Sequence, residues 1–217
     1  MKKNLIIIGA GNVGAFVAYN LDLFDEKFIL LGFLDDDIHK KGRIIAGHQV
    51  LGNVDDLRSF PAGTAVAVGI ADPVSRKRIV NKIQTLPVVF PNFISCRAWL
   101  SREVRVGRGA IIYPGVSINY ESVLGDFVII NMNCALGHNA TVSDFCSLAP
   151  GVNFSGFTYL EEGVSMGIGS ATRQNARIGR GSTIGGQAFV IGNVPEGSIV
   201  MGIPGKPKVR TSPREGK

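Results

Sequence analysis

Apolar positions along this 217-residue chain fall into two regimes with different periods. Up to about residue 95, short continuous apolar runs alternate with runs of helical period. Residues 5–8 (LIII) read as a buried strand, and residues 12–23 place Val13, Phe16, Val17 and Leu21 on one helical face. Residues 28–34 read as a second strand, ending in Asp35-Asp36-Asp37, and residues 64–70 as a third. Asp72-Pro73 opens a helix through Ile83, with proline where a first turn tolerates it. Residues 87–91 (PVVFP) read as a short last strand. The pattern predicts a small parallel α/β unit with right-handed crossovers.

From Leu100 the period becomes six. Leu100, Val106, Ile112, Ile118, Leu124, Ile130, Leu136, Val142, Leu148, Phe154, Leu160, Met166, Thr172, Ile178, Ile184 and Val190 keep phase, and only Thr172 is not apolar. Four residues after nearly every one sits a small or β-branched residue, such as Ala110, Cys134, Ala140, Cys146 or Ser182. A hexapeptide repeat is a β-helix signature. Each hexad forms one side of a triangular prism, the aliphatic residue filling the interior and the small one admitting the corner. Glycines such as Gly107, Gly125, Gly137 and Gly167 follow the aliphatic position, where the backbone must be tight. No loop breaks the register, so about five coils of eighteen residues are expected. The exposed prism sides invite association into trimers. The domains expected are therefore residues 1–95 and residues 96–217.

A net charge of +6 suits an anionic partner, but no aromatic-interleaved basic motif points to nucleic acid. Cys96, Cys134 and Cys146 are an odd count without metal-ligand spacing and fit a reducing cytosol. Cys134 and Cys146 occupy the small interior position of their hexads and read as core, not as acyl-carrying nucleophiles. The MKKNLIII start lacks a clear cleavage site, and no segment reaches the roughly 20 apolar residues of a membrane span. A cytoplasmic protein, with no membrane and no metal, is the expectation.

GAGNVG at residues 9–14 has the G-x-G-x-x-G spacing between a strand and a helix, with aspartates about twenty residues on. A dinucleotide fold needs two mononucleotide halves. The front unit has room for one, which disfavours an NAD-dependent oxidoreductase. Gly9, Gly11 and Gly14 would let backbone approach a diphosphate at a helix N-terminus. Asp35 and Asp36 would accept from a base edge or ribose hydroxyls. The alternative is that the glycines only shape a tight turn.

The repeat, ending in NVPEGSIVMGIPGKP, together with GAGNVG, GFLDDD, VLGNVDDL and IADPVSRKRIV, resembles the sialic-acid O-acetyltransferase-like family of hexapeptide acyltransferases. That family includes the nucleotide-sugar N-acetyltransferases of bacillosamine, perosamine and viosamine biosynthesis. The resemblance spans residues 1 to 210 and implies a Rossmann-like α/β domain followed by a left-handed parallel β-helix. It implies acetyl-CoA as cosubstrate and a nucleotide-linked amino sugar, of the 4-amino-4,6-dideoxyhexose kind, as acceptor. It also implies a homotrimer with active sites between subunits, and no NAD. Gly11, Asn12, Asp35, Asp36 and Gly69 would form the nucleotide pocket, with Gly9 beside them. Many relatives carry G-H-G where this chain has Asn12-Val13-Gly14.

Transfer of acetyl from a thioester to an amine needs a base, and histidine suits it near neutral pH. His39 and His48 lie in polar, loop-like stretches and read as solvent-facing. His138 lies two positions past interior Leu136 and should point outward, toward a cleft between subunits. The resemblance puts the catalytic histidine there. In relatives the next residue is often acidic, whereas here it is the uncharged Asn139. One coil on, Gly156 should stack over His138 with its N–H turned to a developing oxyanion. Asn131 is a further candidate near the site. Ser147, at a position where some relatives carry a second histidine, with Ile168 and Gly186, matches positions that line the acetyl-CoA channel. Arg173, Arg177, Arg180, Lys206, Lys208 and Arg210 would face coenzyme A phosphates or simply solvent. Two other readings use the same residues differently: a sugar O-acetyltransferase of the sialic-acid type, and a non-catalytic β-helix scaffold with a nucleotide-sensing front domain.

Overall fold

The computed structural model describes residues 2–24 and 28–209. Arg210 lies outside the described residues. The front unit is built from β1 (Lys3–Ile8), α1 (Asn12–Tyr19), β2 (Phe28–Leu34), β3 (Ile44–Ile45), β4 (His48–Gly52), β5 (Ala65–Val68) and α2 (Pro73–Ile83). Its sheet has the order β3-β4-β2-β1-β5, with β4, β2, β1 and β5 parallel and β3 antiparallel to β4. Residues 5–8 of β1, all of β5 and most of β2 are buried, which is why they read as continuous apolar runs. Asp72 caps α2 by accepting from Ser75 N at 2.8 Å, with Pro73 in the first turn.

Three local expectations are corrected. The first helix ends at Tyr19, where the Asn20 side chain donates to Phe16 O at 2.8 Å, and residues 21–23 form a separate 3₁₀ turn. Residues 87–91 contribute only an isolated bridge from Val89 to Ala65, since the flanking prolines supply no N–H to a ladder. The β3–β4 hairpin was absent from the sequence reading, and it puts His48 in a half-buried strand, not a solvent-facing loop. His39 is exposed.

Beyond the front unit, two-residue parallel strands stack into three sheets that close as a left-handed parallel β-helix. The first face runs from Trp99–Leu100 to Phe189–Val190 in six strands, and the second from Arg105–Val106 to Arg177–Ile178 in five. The third begins at Phe93–Ile94 and has eight strands, the last being the antiparallel pair Ser198–Met201 and Lys206–Val209. Every partner within the repeat lies eighteen residues away, as in Ala135 against Asn153. The aliphatic positions from Ile112 to Val190 and the small positions from Ala110 to Ala188 are all buried. Each aliphatic side chain contributes about 1.5–3 kcal/mol. Thr172 is accommodated because its hydroxyl pairs with Thr158 Oγ1 at 2.7 Å, and Thr158 donates onward to Ser155 O.

The corners obey a rule of their own. Every sixth residue from Glu103 to Gln187 is left-handed, with φ between 53° and 74°. Glycine and asparagine adopt this conformation readily; other L-residues pay about 1–2 kcal/mol. Phe127 and Phe145 occupy two such corners, and their rings stack on each other at 5.6 Å within the core beneath the front unit. Burial of two aromatic rings outweighs the backbone cost there.

The third face is covered by the front unit, so its outward-facing Ile111 and Ile129 are as buried as interior residues. Tyr113 stacks on Phe16 at 3.7 Å across this seam. Arg76 of α2, only 1% exposed, crosses it. Its guanidinium donates to the carbonyls of Ile70, Ala71, Phe127 and Phe145 and to Ser147 Oγ.

Candidate functional site

The front sheet reverses direction of growth at β1: β2 lies on one side and β5 on the other. Open α/β sheets bind ligands at the carboxyl ends of strands flanking such a switch point. Gly9 follows β1, Asp35 follows β2 and Gly69 follows β5, and a cavity of about 560 Å³ opens there. Gly9, Gly11, Asn12, Asp35, Asp36 and Gly69 all line it. The three glycines of the motif serve different ends. A Cβ on Gly14 would fall 2.0 Å from Gly9 O, so the chain's own packing demands glycine there. A Cβ on Gly11 would meet nothing within 4 Å, and its φ is −109°. Nothing among the described residues requires Gly11 to lack a side chain, and its bare backbone faces the cavity.

Asp35 organises the rim. Its Oδ2 accepts from Ala10 N at 2.8 Å and Lys40 Nζ at 2.9 Å, and its Oδ1 accepts from Asp37 N. Burial works to raise its pKa, but the Lys40 ammonium and the two N–H donors outweigh it and hold the carboxyl below its ordinary value. Asp36 accepts from Val54 N at 2.9 Å. Lys40 and the exposed Arg78 of α2 also line the cavity. Sequence reasoning missed both cations, although Arg78 lies less than two turns from the capped start of α2.

His138 projects from the corner between the first and second faces. Its imidazole stacks on Tyr120 at 5.5 Å and meets the Phe157 ring edge-on at 5.0 Å. A Cβ built on Gly156 would lie 2.6 Å from both Cε1 and Nε2, so only glycine fits directly over the ring. The eighteen-residue stacking expected for this pair is therefore present. Gly156 N–H has no hydrogen-bond acceptor among the described residues. His138 Nδ1 lies 2.9 Å from Asn139 Oδ1, and Asn139 Nδ2 donates to Glu121 Oε2 at 2.6 Å. Tyr120, Glu121 and Phe157 escaped the sequence reading, although Tyr120 is one eighteen-residue step below His138 and Glu121 one below Asn139.

Gly186 stacks over Ile168, its Cβ position 3.1 Å from Ile168 Cγ2, but at the corner between the third and first faces. The width of the first face separates that pair from His138 and Gly156. Asn131 belongs to the same third-to-first corner, where its side chain accepts from Met132 N. Ser147 is on the third face, donating to Ala71 O at 2.7 Å and accepting from Arg76. His138 lines no part of the front cavity. One copy of the chain therefore brings together the nucleotide-type residues, and separately His138, Asn139 and Gly156, but not the two groups.

Residues 4–83 match the PglD N-terminal domain family. The fold of nearly the whole chain is similar to the perosamine N-acetyltransferase of Caulobacter crescentus, solved with CoA and GDP-perosamine, at 26% identity and TM-score 0.88, covering 95% of this chain and 97% of that one. It is similar to the acetyltransferase domain of PglB from Neisseria gonorrhoeae, solved with acetyl coenzyme A, at 28% identity and TM-score 0.88, covering 96% and 100%. The chain is an acyltransferase of hexapeptide-repeat fold. WeeI from Acinetobacter baumannii is also similar to this acyltransferase, at 25% identity, TM-score 0.83 and 95% and 100% coverage. A redox-sensing transcriptional repressor, Rex of Thermosipho africanus, is 32% identical over 87 residues, 39% of the acyltransferase chain. The acyltransferase spans only 42% of that repressor's length. Among its described residues, no helix is long and apolar enough to cross a membrane.

Proposed function

We propose that this acyltransferase is cytoplasmic and moves the acetyl group of acetyl-CoA onto the amine of a nucleotide-linked amino sugar. The relatives solved with acetyl coenzyme A and with GDP-perosamine support the two substrates. The bare backbone of Gly11, the rim of Asp35 and Asp36, and the cations Lys40 and Arg78 suit a nucleoside diphosphate in the front cavity. The single observation that carries the chemistry is the placement of His138. Its Nδ1 is engaged by Asn139, which leaves Nε2 directly beneath Gly156.

In this mechanism the sugar nitrogen attacks the thioester carbonyl while Nε2 takes its proton. The carbonyl oxygen gains negative charge, and Gly156 N–H donates to it. Collapse breaks the carbon–sulfur bond, and the imidazolium returns the proton to the departing thiolate. Ile168 and Gly186 line the acetyl-CoA path. The Ser147 hydroxyl, donated to Ala71 O, is not counted among its contacts.

We infer a homotrimer, with each site assembled from two copies. Trp99 and Tyr120 are about half exposed on or beside the first face, as are Met132, Phe157 and Ile168 at its flanking corners. Covering such apolar groups favours association. The same contact would bring the Ile168 corner of one copy toward the His138 corner of the next.

The test is release of coenzyme A thiol from acetyl-CoA against UDP-, dTDP- and GDP-linked 4-amino-4,6-dideoxy sugars, and their hydroxyl counterparts. Rapid release with one amino sugar, lost by about 100-fold or more in His138→Ala, supports the proposal. Release only with the hydroxyl sugars, or undiminished release in the variant, refutes it.

A further inference from the structure

Glu121 and Asn139 hold the same left-handed corner position one coil apart, with φ of 55° and 56°. Their side chains therefore lie one above the other, and Asn139 Nδ2 donates to Glu121 Oε2 at 2.6 Å. An ionised carboxylate accepts hydrogen bonds and donates none. The amide must then present nitrogen to Glu121 and oxygen to His138, as the 2.9 Å contact of Oδ1 with Nδ1 records. That oxygen also accepts only, so Nδ1 carries the proton of the neutral ring and Nε2 keeps its lone pair. The stacked Tyr120 and the edge-on Phe157 hold the ring plane. What remains to be selected is which nitrogen is protonated.

We propose that Glu121 selects the tautomer of His138 through the Asn139 amide, and is a positioning residue for proton transfer at Nε2. Glu121 touches no reacting atom. Its effect is the orientation of an amide that would otherwise turn over freely, exchanging Oδ1 for Nδ2 opposite the imidazole. With Nδ2 there, Nδ1 would have to accept, and the proton would sit on Nε2, where the base needs a lone pair. In hydrolases whose histidine is oriented by a carboxylate, an amide that imposes the wrong tautomer costs about 10⁴ in turnover. The inference rests on the proposed role of His138 as base, so its test includes a measurement independent of turnover.

Imidazole nitrogen NMR on histidine-labelled full-length protein, at alkaline pH where the rings are neutral, reads the tautomer directly. The His138 signals are assigned by their loss in His138→Gln. We expect the proton on Nδ1 in the unmodified protein and on Nε2 in Glu121→Lys, whose ammonium only donates and so reverses the amide. In the acetyl-transfer assay, Glu121→Lys lowers kcat by about tenfold or more with KM for both substrates unchanged. In Glu121→Gln/Asn139→Asp the exchanged pair again presents an acceptor to Nδ1, and kcat recovers to within about threefold of the unmodified protein. A proton on Nε2 in the unmodified protein, an unmoved tautomer in Glu121→Lys, or no recovery in the exchanged pair overturns the inference. If the tautomer responds as stated but no acceptor is acetylated, the Glu121 device stands and the acetyl-transfer reading falls.

Discussion

Gly11 and Gly14 sit three residues apart in one motif, and the structure assigns them opposite sensitivities to the same methyl group. A Cβ on Gly14 would stand 2.0 Å from Gly9 O, against a normal carbon–oxygen contact well above 3 Å. The strand-to-helix turn must open by more than 1 Å, which for a rigid backbone contact costs about 3 kcal/mol or more. In a chain of this size that lowers Tm by about 6–12 °C. A Cβ on Gly11 meets nothing within 4 Å. The alanine is a somewhat poorer helix N-cap, by a few tenths of a kcal/mol, and the reduced freedom of its unfolded chain offsets this. Gly11→Ala should therefore unfold within about 2 °C of the unmodified protein. A phosphate oxygen bonded to the backbone there would be pushed off by the methyl group, losing about 1.5–3 kcal/mol, or about 10- to 150-fold in Kd. Calorimetric titration with UDP, dTDP and GDP, beside thermal unfolding of both variants, measures the two effects separately. Equal nucleotide affinity in Gly11→Ala and the unmodified protein would refute the assignment of Gly11 to phosphate binding.

Three further outcomes follow from particular contacts. Gly156→Ala drives a methyl group to within 2.6 Å of the His138 ring, so turnover should fall by about 100-fold while the protein stays folded by circular dichroism; retained turnover would show that the ring is not constrained as described. Arg76→Met strips the seam of its shared donor and should cost about 3 kcal/mol or more in denaturant unfolding; a change below 1 kcal/mol would mean the carbonyls it serves are satisfied without it. Burial pushes the Cys134 thiol up to about 11 and the Cys146 thiol up to about 12, so iodoacetamide at pH 8 should label only the exposed Cys96 in the folded protein, as mass spectrometry of the peptides will show.

The β-helix was legible because its interior is selected on size alone: an aliphatic and a small residue recur in phase, and burial follows at every described position from Ala110 on. The corners were not, because left-handed backbone is imposed by the repeat and accepted by whatever residue stands there. Glu121, Phe127, Phe145 and Gln187 all adopt it, and none advertises it. The cavity residues were legible from the spacing of glycines and aspartates, but Lys40 and Arg78 carry no spacing signal. Glu121 carries no signal of its own, since only its place one coil below Asn139 brings its carboxylate to that amide. The β3–β4 hairpin was hidden by its brevity and polar faces, so that His48 read as loop.

The Arg76 seam has a bearing on which molecules can react. Ala71 borders the front cavity, and its carbonyl is held by Ser147 of the β-helix and by Arg76, which is itself bonded to two successive coils. A floor anchored in this way cannot swing toward the prism when a ligand arrives. The front cavity and the β-helix keep a constant separation, so in the proposed reaction an acceptor is measured as if by a ruler. A sugar whose nucleophile sits too near to or too far from its phosphates will dock at one end and miss the other, whatever its intrinsic reactivity.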